Sequence, residues 1–275
     1  MSKSNFELIL FSALFLVVSA SVVLANDNLT IYFWDVGQGD SELIQFHNKS
    51  VLIDAGTEDM GSRVECYLKG IGISNLDLVV ATHPHSDHIG GLLTVLNDFP
   101  VRQILDSGQE HTSQTFENYL NLIDRKNIPF AVAERGQTID LDPALDIVVL
   151  SPPATHFAED ALNQNSVVLK VTYENVSFLF MGDAGTEAES SLLSSGYNLD
   201  ADVLKVGHHG SSSASSDEFL NAVSPAVSVI EVGTGNDYGH PKTKTLNALQ
   251  NTRNEVYRTD RDGRIVVTTD GESIT

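Results

Sequence analysis

Apolar and polar positions follow two periods along this chain, one close to 2 and one close to 3.6. Segments of the first kind, together with short apolar runs, predict strands at residues 29–34, 41–47, 50–54, 76–81, 101–105, 166–173, 176–181 and 202–206, with short strands between 129 and 150. Segments of the second kind predict helices at 60–69, 89–96, 114–126 and 186–194, and another that begins near Ser216. Strands that alternate with helices, without any convincing linker, predict one α/β domain.

The first 25 residues differ from the rest of the chain. A lysine precedes an apolar run at 6–25, which only a few polar residues interrupt. Val23 and Ala25 fit the small-residue pattern of a cleavage site. We therefore expect a signal peptide at 1–25 and a hydrolase domain at 26–275, in a secreted, periplasmic or extracellular-face location. The alternative is a membrane anchor, because the run is long enough to span a bilayer.

Charge and cysteine content narrow the classes of function. The chain has 275 residues and a formal net charge of −21, which argues against generic adhesion to nucleic acid. Its single cysteine, Cys66, excludes an internal disulfide and any cysteine-rich metal site. We expect Cys66 to be a small buried residue in the helix at 60–69. Any metal is then held by imidazole and carboxylate groups.

Four metal-capable side chains lie within six residues, directly after a predicted buried strand. They are His83, His85, Asp87 and His88. On extended backbone His83 and His85 point the same way, and Pro84 favours that conformation at His83. Asp87 and His88 begin the next helix and turn toward a second position. The pattern predicts one pair of ligands for each of two adjacent metals, at a strand-to-helix turn where open α/β sheets place their ligands.

The His-x-His-x-Asp-His pattern at 83–88 resembles that of the metallo-β-lactamase superfamily of hydrolases. Further motifs are Asp-Val-Gly-Gln-Gly-Asp at 35–40, Leu-Ile-Asp-Ala-Gly at 52–56, Met-Gly-Asp-Ala-Gly at 181–185, Gly-His-His-Gly-Ser at 207–211 and Tyr-Gly-His-Pro at 238–241. The series resembles the metallo-β-lactamase-like domain of the ComEC/Rec2 competence proteins over roughly residues 29–267. This resemblance implies a four-layer αββα sandwich, with the metals at one edge between two facing sheets.

The resemblance also implies roles for single residues. Asp183 would bridge the two metals, and one of His208 and His209 would complete the second site while the other faces the substrate. We take His208 as the ligand. Asn165 stands where many members of the superfamily have a histidine, which makes the first site weaker for zinc and more acceptable to Mn²⁺ or Mg²⁺. His156, in a neighbouring loop, is the alternative to Asn165.

Other polar residues are expected around the centre. Asp54 ends a predicted strand and suits a carboxylate that accepts the second ring N–H of a metal-bound histidine, with direct ligation as the alternative. Asp40 lies in a glycine turn, where it could contact a metal, its water or the substrate, or only cap the turn. The resemblance places His240 at the mouth of the site. We expect catalysis to depend on Asp87, and on His240 or His209 to stabilise charge or assist the leaving oxygen.

The expected cofactors are two divalent cations, Zn²⁺ or Mn²⁺, with Mg²⁺ as a further option. They would lower the pKa of a shared water, and the resulting hydroxide can attack a phosphodiester, an ester, a thioester or a lactam. The small-residue loop at 207–213 suits an anion. Residues 242–264 carry six basic and three acidic side chains, a basic strip that favours a polyanion, although a solvated face is the alternative. The expected substrate contacts are Ser211, Lys242, Lys244 and Arg261.

Three functions are compatible with these features. An exported phosphodiesterase, specifically a deoxyribonuclease with DNA as its partner, fits the resemblance and the basic strip. An exported esterase, lactonase or β-lactamase on the same centre is the first alternative. The second is a non-catalytic, metal-stabilised module that binds DNA or a membrane partner. The sequence supports no inference about a protein partner.

Overall fold

The computed structural model describes residues 27–158 and 161–275. The strands are β1 (Leu29–Phe33), β2 (Glu42–Phe46), β3 (Lys49–Ile53), β4 (Leu78–Ala81), β5 (Ile104–Asp106), β6 (Phe130–Val132), β7 (Leu145–Ser151), β8 (Val168–Tyr173), β9 (Val176–Phe180), β10 (Val203–Lys205), β11 (Val227–Ile230), β12 (Glu255–Arg258) and β13 (Ile265–Thr269). The helices are α1 (Gly61–Gly70), α2 (Ser86–Ile89), α3 (Leu92–Asp98), α4 (Gln114–Lys126), α5 (Thr186–Leu193), α6 (Asp217–Val223), α7 (Thr243–Asn251) and α8 (Thr259–Asp262).

The strands form two mixed sheets of similar design. One has the order β13-β1-β2-β3-β4-β5-β6, and the other has the order β12-β11-β10-β9-β8-β7. In each sheet a hairpin, β2–β3 or β8–β9, leads into three further strands that run parallel to its second strand. The tripeptide Asn-Leu-Asp precedes both β4 and β10, at 75–77 and 198–200. This repetition agrees with corresponding roles for β4 and β10.

The hydrophobic core lies in three layers that hold the sheets and helices together. Apolar residues of both sheets form the central layer, where the Phe33 and Phe180 rings stack with centroids 6.1 Å apart. A second layer packs α1, α3 and α4 on the outer face of the first sheet, and a third packs α5, α6 and α7 on the second. β4 and β10 are buried along their whole length, as parallel strands covered on both faces are. The predicted four-layer αββα sandwich is confirmed.

Two local predictions differ from the structure. The helix expected at 89–96 is two helices, α2 and α3, separated by Gly90 and Gly91. A Cβ atom on Gly91 would lie 2.0 Å from the carbonyl oxygen of Ala55, so only glycine lets this backbone pack directly on the loop after β3. Cys66 is exposed rather than buried, because it lies on the outer face of α1, whose buried face carries Val64.

The prediction for residues 1–25 lies outside the described residues. Within 27–158 and 161–275, none of the helices combines the length and the apolar character that crossing a bilayer requires.

Candidate metal centre

The polar side chains of the motifs converge at the carboxyl ends of the parallel strands. His83 follows β4, Asp183 follows β9, and the turn with His208 and His209 follows β10. Both of these last two histidines have left-handed backbone, with φ of 47° and 51°. Such conformations are uncommon outside glycine and concentrate at functional sites. The strand ends therefore bring together segments that are more than 100 residues apart in the chain.

One set of possible ligands consists of His83, His85 and Asp183, which lie within 4.8 Å of one another through their ligand atoms. His83 Nε2 lies 2.9 Å from His85 Nδ1 and 3.8 Å from Asp183 Oδ2. His83 and Asp183 are buried, whereas His85 is half-buried at the edge of a cavity. This set joins the two histidines of the strand-to-helix turn to a carboxylate from the other sheet.

A second set consists of Asp87, His88 and His209. His209 Nε2 lies 3.5 Å from Asp87 Oδ2, and His88 Nε2 lies 4.0 Å from the same oxygen. The turn after β10 places His209 in this set, whereas His208 was the residue expected from the sequence as the ligand of the second metal. The His208 ring is half-buried, and its Nε2 lies 3.7 Å from Asp183 Oδ2, on the side of the first set.

Asp183 connects the two sets. Its Oδ2 lies toward His83, while its Oδ1 is 3.5 Å from His88 Nε2 and 3.4 Å from His209 Nε2. Asp183 Oδ1 and the Nε2 atoms of His88 and His209 are buried and have no hydrogen-bond partner among the described residues. Buried polar atoms are nearly always satisfied. Three unsatisfied atoms that converge on one point fit a bound cation.

Buried oxygen atoms orient the histidines of the second set. Asp54 Oδ2 lies 2.7 Å from His88 Nδ1, and Asp54 Oδ1 accepts the backbone N–H of Thr82 at 2.9 Å. His209 Nδ1 lies 3.0 Å from the backbone carbonyl oxygen of Glu231, which can accept its N–H, and 3.1 Å from Asp40 Oδ1. With Nδ1 engaged, the Nε2 atom of each ring is left to face the centre. This is the arrangement typical of metal-binding histidines.

The loop with Asp40 reaches the centre because Gly39 allows it to pack against α2. A Cβ atom on Gly39 would lie 2.3 Å from the carbonyl oxygen of Asp87. Behind Asp40 lies Lys205, a fully buried lysine whose Nζ donates to Asp40 Oδ2 at 2.6 Å. Lys205 thereby neutralises the carboxylate that contacts His209. A lysine at the end of an apolar strand is the signal in the sequence that points to such a buried ion pair.

The asparagine beside the centre is Asn163, whereas the sequence analysis expected Asn165. Asn163 Nδ2 lies 3.5 Å from Asp183 Oδ2 and 3.2 Å from His208 Nε2. The Asn165 side chain is buried, and its Oδ1 accepts the backbone N–H of Phe157 at 2.9 Å. His156 is exposed and belongs to neither set of possible ligands in the described part of the chain.

The protonation of the side chains at the centre follows from burial and charge. Burial lowers the pKa of His83 well below its usual value, and nearby His88 adds to this effect. Burial also acts to lower the pKa values of His88 and His209. The Asp183 carboxylate and its acidic neighbours outweigh it, raising the pKa of His88 well above its usual value and that of His209 to about 10. Protons therefore balance the carboxylates here, and a cation would displace them on binding.

A cavity of about 280 Å³ opens over the two sets. Its lining includes Asp87, Asp183, His208, His209 and Tyr238 of the Tyr-Gly-His-Pro motif, together with residues that no signal in the sequence indicated, such as His111, Ser113 and Asn163. His240 also lines it, and burial, reinforced by His208, lowers the pKa of His240 to about 4. His240 is therefore a neutral imidazole near pH 7.

The basic strip is divided in the structure. Lys242 Nζ donates to the carbonyl oxygen of Tyr238 at 2.6 Å, so this cation lies at the cavity rim. Lys244 Nζ donates to the Ser212 carbonyl oxygen at 3.1 Å, in the loop that follows the histidine turn. Arg258 is paired with an aspartate.

The other expected contacts are not at the cavity. Arg253 and Arg264 line a separate cavity of about 710 Å³ between the edges of the sheets. Ser211 is buried, and neither Ser211 nor the exposed Arg261 is among the lining residues of the metal-centre cavity in the described part of the chain.

This fold and paired centre define a class of protein. The chain matches the Metallo-beta-lactamase superfamily over residues 34–233 and therefore belongs to that superfamily. The fold implies divalent metal ions, and the two sets of histidine and aspartate side chains could hold them.

Individual relatives narrow the similarity within the class. The chain is 31% identical over 249 residues to ComE operon protein 3 of Bacillus subtilis, covering 84% of this chain and 32% of that one. It is 31% identical over 242 residues to Competence protein ComA of Neisseria gonorrhoeae, covering 87% and 32%. The chain thus spans about a third of the length of these curated relatives. The resemblance to competence proteins is confirmed.

A solved structure supports the fold. The metallo-beta-lactamase fold protein YhfI from Bacillus subtilis aligns with a TM-score of 0.59 at 14% identity, covering 88% of this chain and 100% of that one. Similarity at this level of identity shows the fold alone.

Proposed function

We propose that this protein is an exported, metal-dependent phosphodiesterase that cleaves DNA. The observation that carries the proposal is the position of Asp183, whose two oxygens face two separate sets of histidine-rich ligands at the floor of a polar cavity. A carboxylate between two cations is the arrangement of two-metal hydrolases of phosphate esters. The relative named Competence protein ComA, and a further one named Recombination protein 2, add support because both processes involve DNA.

The ligands we propose differ in one residue from the sequence expectation. His83, His85 and Asp183 would hold the first cation. Asp87, His88 and His209 would hold the second, with Asp183 shared between the two. His208 then faces the substrate instead of completing the second site.

Asn163 bears on the identity of the first metal. Its Oδ1 is buried and has no hydrogen-bond partner in the described part of the chain. Turning the amide over would bring Oδ1 toward Asp183, because oxygen and nitrogen positions in an amide are assigned from hydrogen bonds. An amide oxygen suits Mn²⁺ or Mg²⁺ better than Zn²⁺. We therefore propose that the first site accepts manganese more readily than sites with three histidines do.

The chain's own residues would orient and stabilise the reacting groups. When bound, the cations would lower the pKa of a water molecule and polarise the phosphorus–oxygen bond. Asp54 holds the His88 ring with Nε2 toward the centre, and the Glu231 carbonyl oxygen together with Asp40 holds the His209 ring in the same way. His240 is neutral, and its Nδ1 has no partner among the described residues. It can thus donate one hydrogen bond to a phosphate oxygen while it stays neutral.

Substrate specificity is tested by incubating the purified protein with labelled DNA, bis-p-nitrophenyl phosphate, nitrocefin and an acyl-lactone. Each substrate is combined with Mn²⁺, Mg²⁺ or Zn²⁺. We expect phosphodiester cleavage that Asp183→Asn abolishes, which excludes a contaminating nuclease. Turnover of nitrocefin or the lactone without cleavage of DNA would contradict the proposal in favour of the first alternative. Metal-dependent DNA binding without any cleavage would favour the non-catalytic module.

Export is proposed from the apolar run at 6–25. Mass spectrometry of the protein outside the cytoplasm should find an N-terminus at Asn26. An intact N-terminus in the membrane fraction would instead support the anchor.

A further inference from the structure

One exposed aromatic ring stands at the rim of the metal-centre cavity. Tyr238 is 63% exposed, the largest fraction among the exposed large hydrophobic residues of the described chain. Its ring lies nearly parallel to that of His240, with an interplanar angle of 13° and centroids 5.8 Å apart. Both rings line the cavity that contains Asp183. The ring is therefore exposed to solvent directly beside the candidate reaction centre, where a substrate could contact it.

The loop that carries Tyr238 is held in place by its neighbours. Asn236 Nδ2 donates to the carbonyl oxygens of Gly233 and His240 at 3.0 and 2.8 Å, and Asn236 Oδ1 accepts the His240 backbone N–H at 3.0 Å. Lys242 Nζ binds the Tyr238 carbonyl oxygen. The ring is therefore presented from a hydrogen-bonded loop. A preorganised ring loses little conformational freedom when a partner stacks on it.

The size of the cavity limits what can reach the centre. Asp183 is 2% exposed and lies at the floor, under a space of about 280 Å³. A volume of this size is at the lower limit for small-molecule pockets, so it suits about one nucleotide unit and no duplex. A phosphodiester that enters would leave its neighbouring base at the rim, beside Tyr238. In a duplex the faces of that base are covered by stacked neighbours, whereas in a single strand they are free.

We propose that Tyr238 is a stacking platform for an unpaired nucleobase next to the phosphodiester being cleaved. Single-stranded DNA is then the preferred substrate of the centre, an inference that rests on the proposed function. Stacking on an aromatic ring is tolerant of sequence, because every base has a π-face. Lys242, behind the same loop, supplies a positive charge for the strand's phosphates.

The test compares Tyr238→Ala, which removes the ring, with Tyr238→Phe, which keeps it. Tyr257→Ala is the matched control, because Tyr257 is also exposed but lines the separate cavity between the sheet edges. The substrates are a short single strand, the same strand with abasic residues, and the corresponding duplex. We expect Tyr238→Ala to lower kcat/KM on the natural strand about tenfold, the size of one lost stacking contact. Tyr238→Phe and Tyr257→Ala should stay near the wild type.

The abasic strand separates stacking from other roles of Tyr238. If the ring acts on a base, the wild type and Tyr238→Ala should cleave the abasic strand at the same rate. Equal losses on the natural and abasic strands would overturn the proposal, because the ring would then act through His240. Cleavage of duplex as fast as single strand by the wild type would overturn it as well.

Binding provides a readout that does not depend on cleavage. Fluorescence anisotropy with a cleavage-resistant phosphorothioate strand measures affinity for each variant in the presence of Mn²⁺. Weaker binding by Tyr238→Ala alone supports the platform even if no strand is cleaved, in which case only the proposed function fails. Unchanged binding by Tyr238→Ala would overturn the platform, whether or not the protein is a nuclease.

Discussion

At the scale of single residues, the centre distinguishes between side chains of the same type. His209 lies with Asp87 and His88, while His208 lies toward Asn163 and the cavity. Asn163 is near the centre, while Asn165 binds a backbone N–H elsewhere. Side chains of neighbouring residues in a tight turn point in different directions. A shift of one or two positions therefore changes which residue can contact the metal centre. Substitutions at such pairs therefore provide matched controls.

Replacing Asn163 by histidine should tighten zinc binding at the first site by about tenfold or more, the size of effect that substitutions around metal sites give. The reason is that an imidazole is a better zinc ligand than an amide. Zinc affinity is measured by competition with a chromophoric chelator.

Asn165→His is the control for that substitution. It should leave zinc affinity unchanged and lower the free energy of unfolding by about 1–3 kcal/mol, because it disrupts a buried hydrogen bond. Tighter zinc binding by Asn165→His, and not by Asn163→His, would reverse the assignment of the two asparagines.

Asp87→Ala should abolish activity and lower the metal content by about half, because it removes a ligand from one of two sites. Metal content is measured by mass spectrometry of the desalted protein. Asp98→Ala removes an exposed aspartate of α3 and should change neither quantity. Full metal occupancy with normal turnover in Asp87→Ala would show that the second set is assigned incorrectly.

At the scale of elements, β10 supplies both a ligand turn and the charge that supports it. Lys205 is the last residue of the strand and donates to Asp40. Asp40 in turn contacts His209, which lies four residues after Lys205 in the chain. Burial alone would lower the pKa of Lys205, but the carboxylates of Asp40 and Glu42 outweigh it and raise the pKa above its usual value. The lysine therefore stays charged inside the protein. We expect it to be a positioning residue for His209.

Lys205→Met should lower the free energy of unfolding by about 3–5 kcal/mol, because it leaves a buried carboxylate unpaired. Adding Asp40→Asn removes that charge and should recover part of the stability. Metal affinity at the second site should stay reduced in the double variant, because His209 Nδ1 then keeps the Glu231 carbonyl oxygen but has lost the neighbouring carboxylate charge. Denaturant unfolding and metal titration measure the two effects.

Lys49→Met is the control, because it breaks a partly exposed pair with Asp77. That pair should contribute at most about 1 kcal/mol. Normal metal affinity in the double variant of Lys205 and Asp40 would contradict a positioning role.

At the scale of the whole molecule, the candidate ligands come from both sheets. His83 to His88 follow β4 of the first sheet, whereas Asp183 and His209 follow β9 and β10 of the second. Bound cations would therefore connect the two halves of the sandwich. Any ligand that binds only the folded state adds to its stability.

Removing the metal should lower the melting temperature. When the free metal concentration is a hundred times the Kd of a site, removing the metal lowers the free energy of unfolding by about 2.7 kcal/mol. Differential scanning calorimetry with and without a chelator measures it, and Asp87→Ala should show a smaller loss than the wild type. Equal melting temperatures for the loaded and the chelated wild type would contradict a centre that spans the sheets.

The division of the basic strip predicts which cations bind DNA. Replacing Lys242 and Lys244 by glutamine should weaken binding to long single strands far more than hydrolysis of a small phosphodiester. The log–log salt slope of binding should fall by about 0.7 for each lost phosphate contact.

Arg253→Gln combined with Arg264→Gln removes the same charge at the separate cavity and should leave the slope unchanged. Equal effects of the two double variants would show that only the net charge matters.

The sequence by itself determined the layers of the fold and predicted one half of the candidate centre. The periods of 2 and 3.6 identify strands and helices because each reflects burial on one face of a local element. His83, His85, Asp87 and His88 could be predicted as ligands because they lie within six residues of one strand-to-helix turn, where neighbours in the chain are also neighbours in space.

Only the tertiary structure decided the other half of the centre. Asp40 and Lys205 are 165 residues apart in the chain, and no local pattern predicts their contact. Which of His208 and His209 faces the second set depends on the left-handed backbone of their turn. The spacing of hydrophobic residues predicts side-chain directions in helices and strands, but not in such a turn. Tyr238 is a rim residue only because its loop folds over the cavity. These features depend on packing between distant segments, which is absent until the two sheets meet.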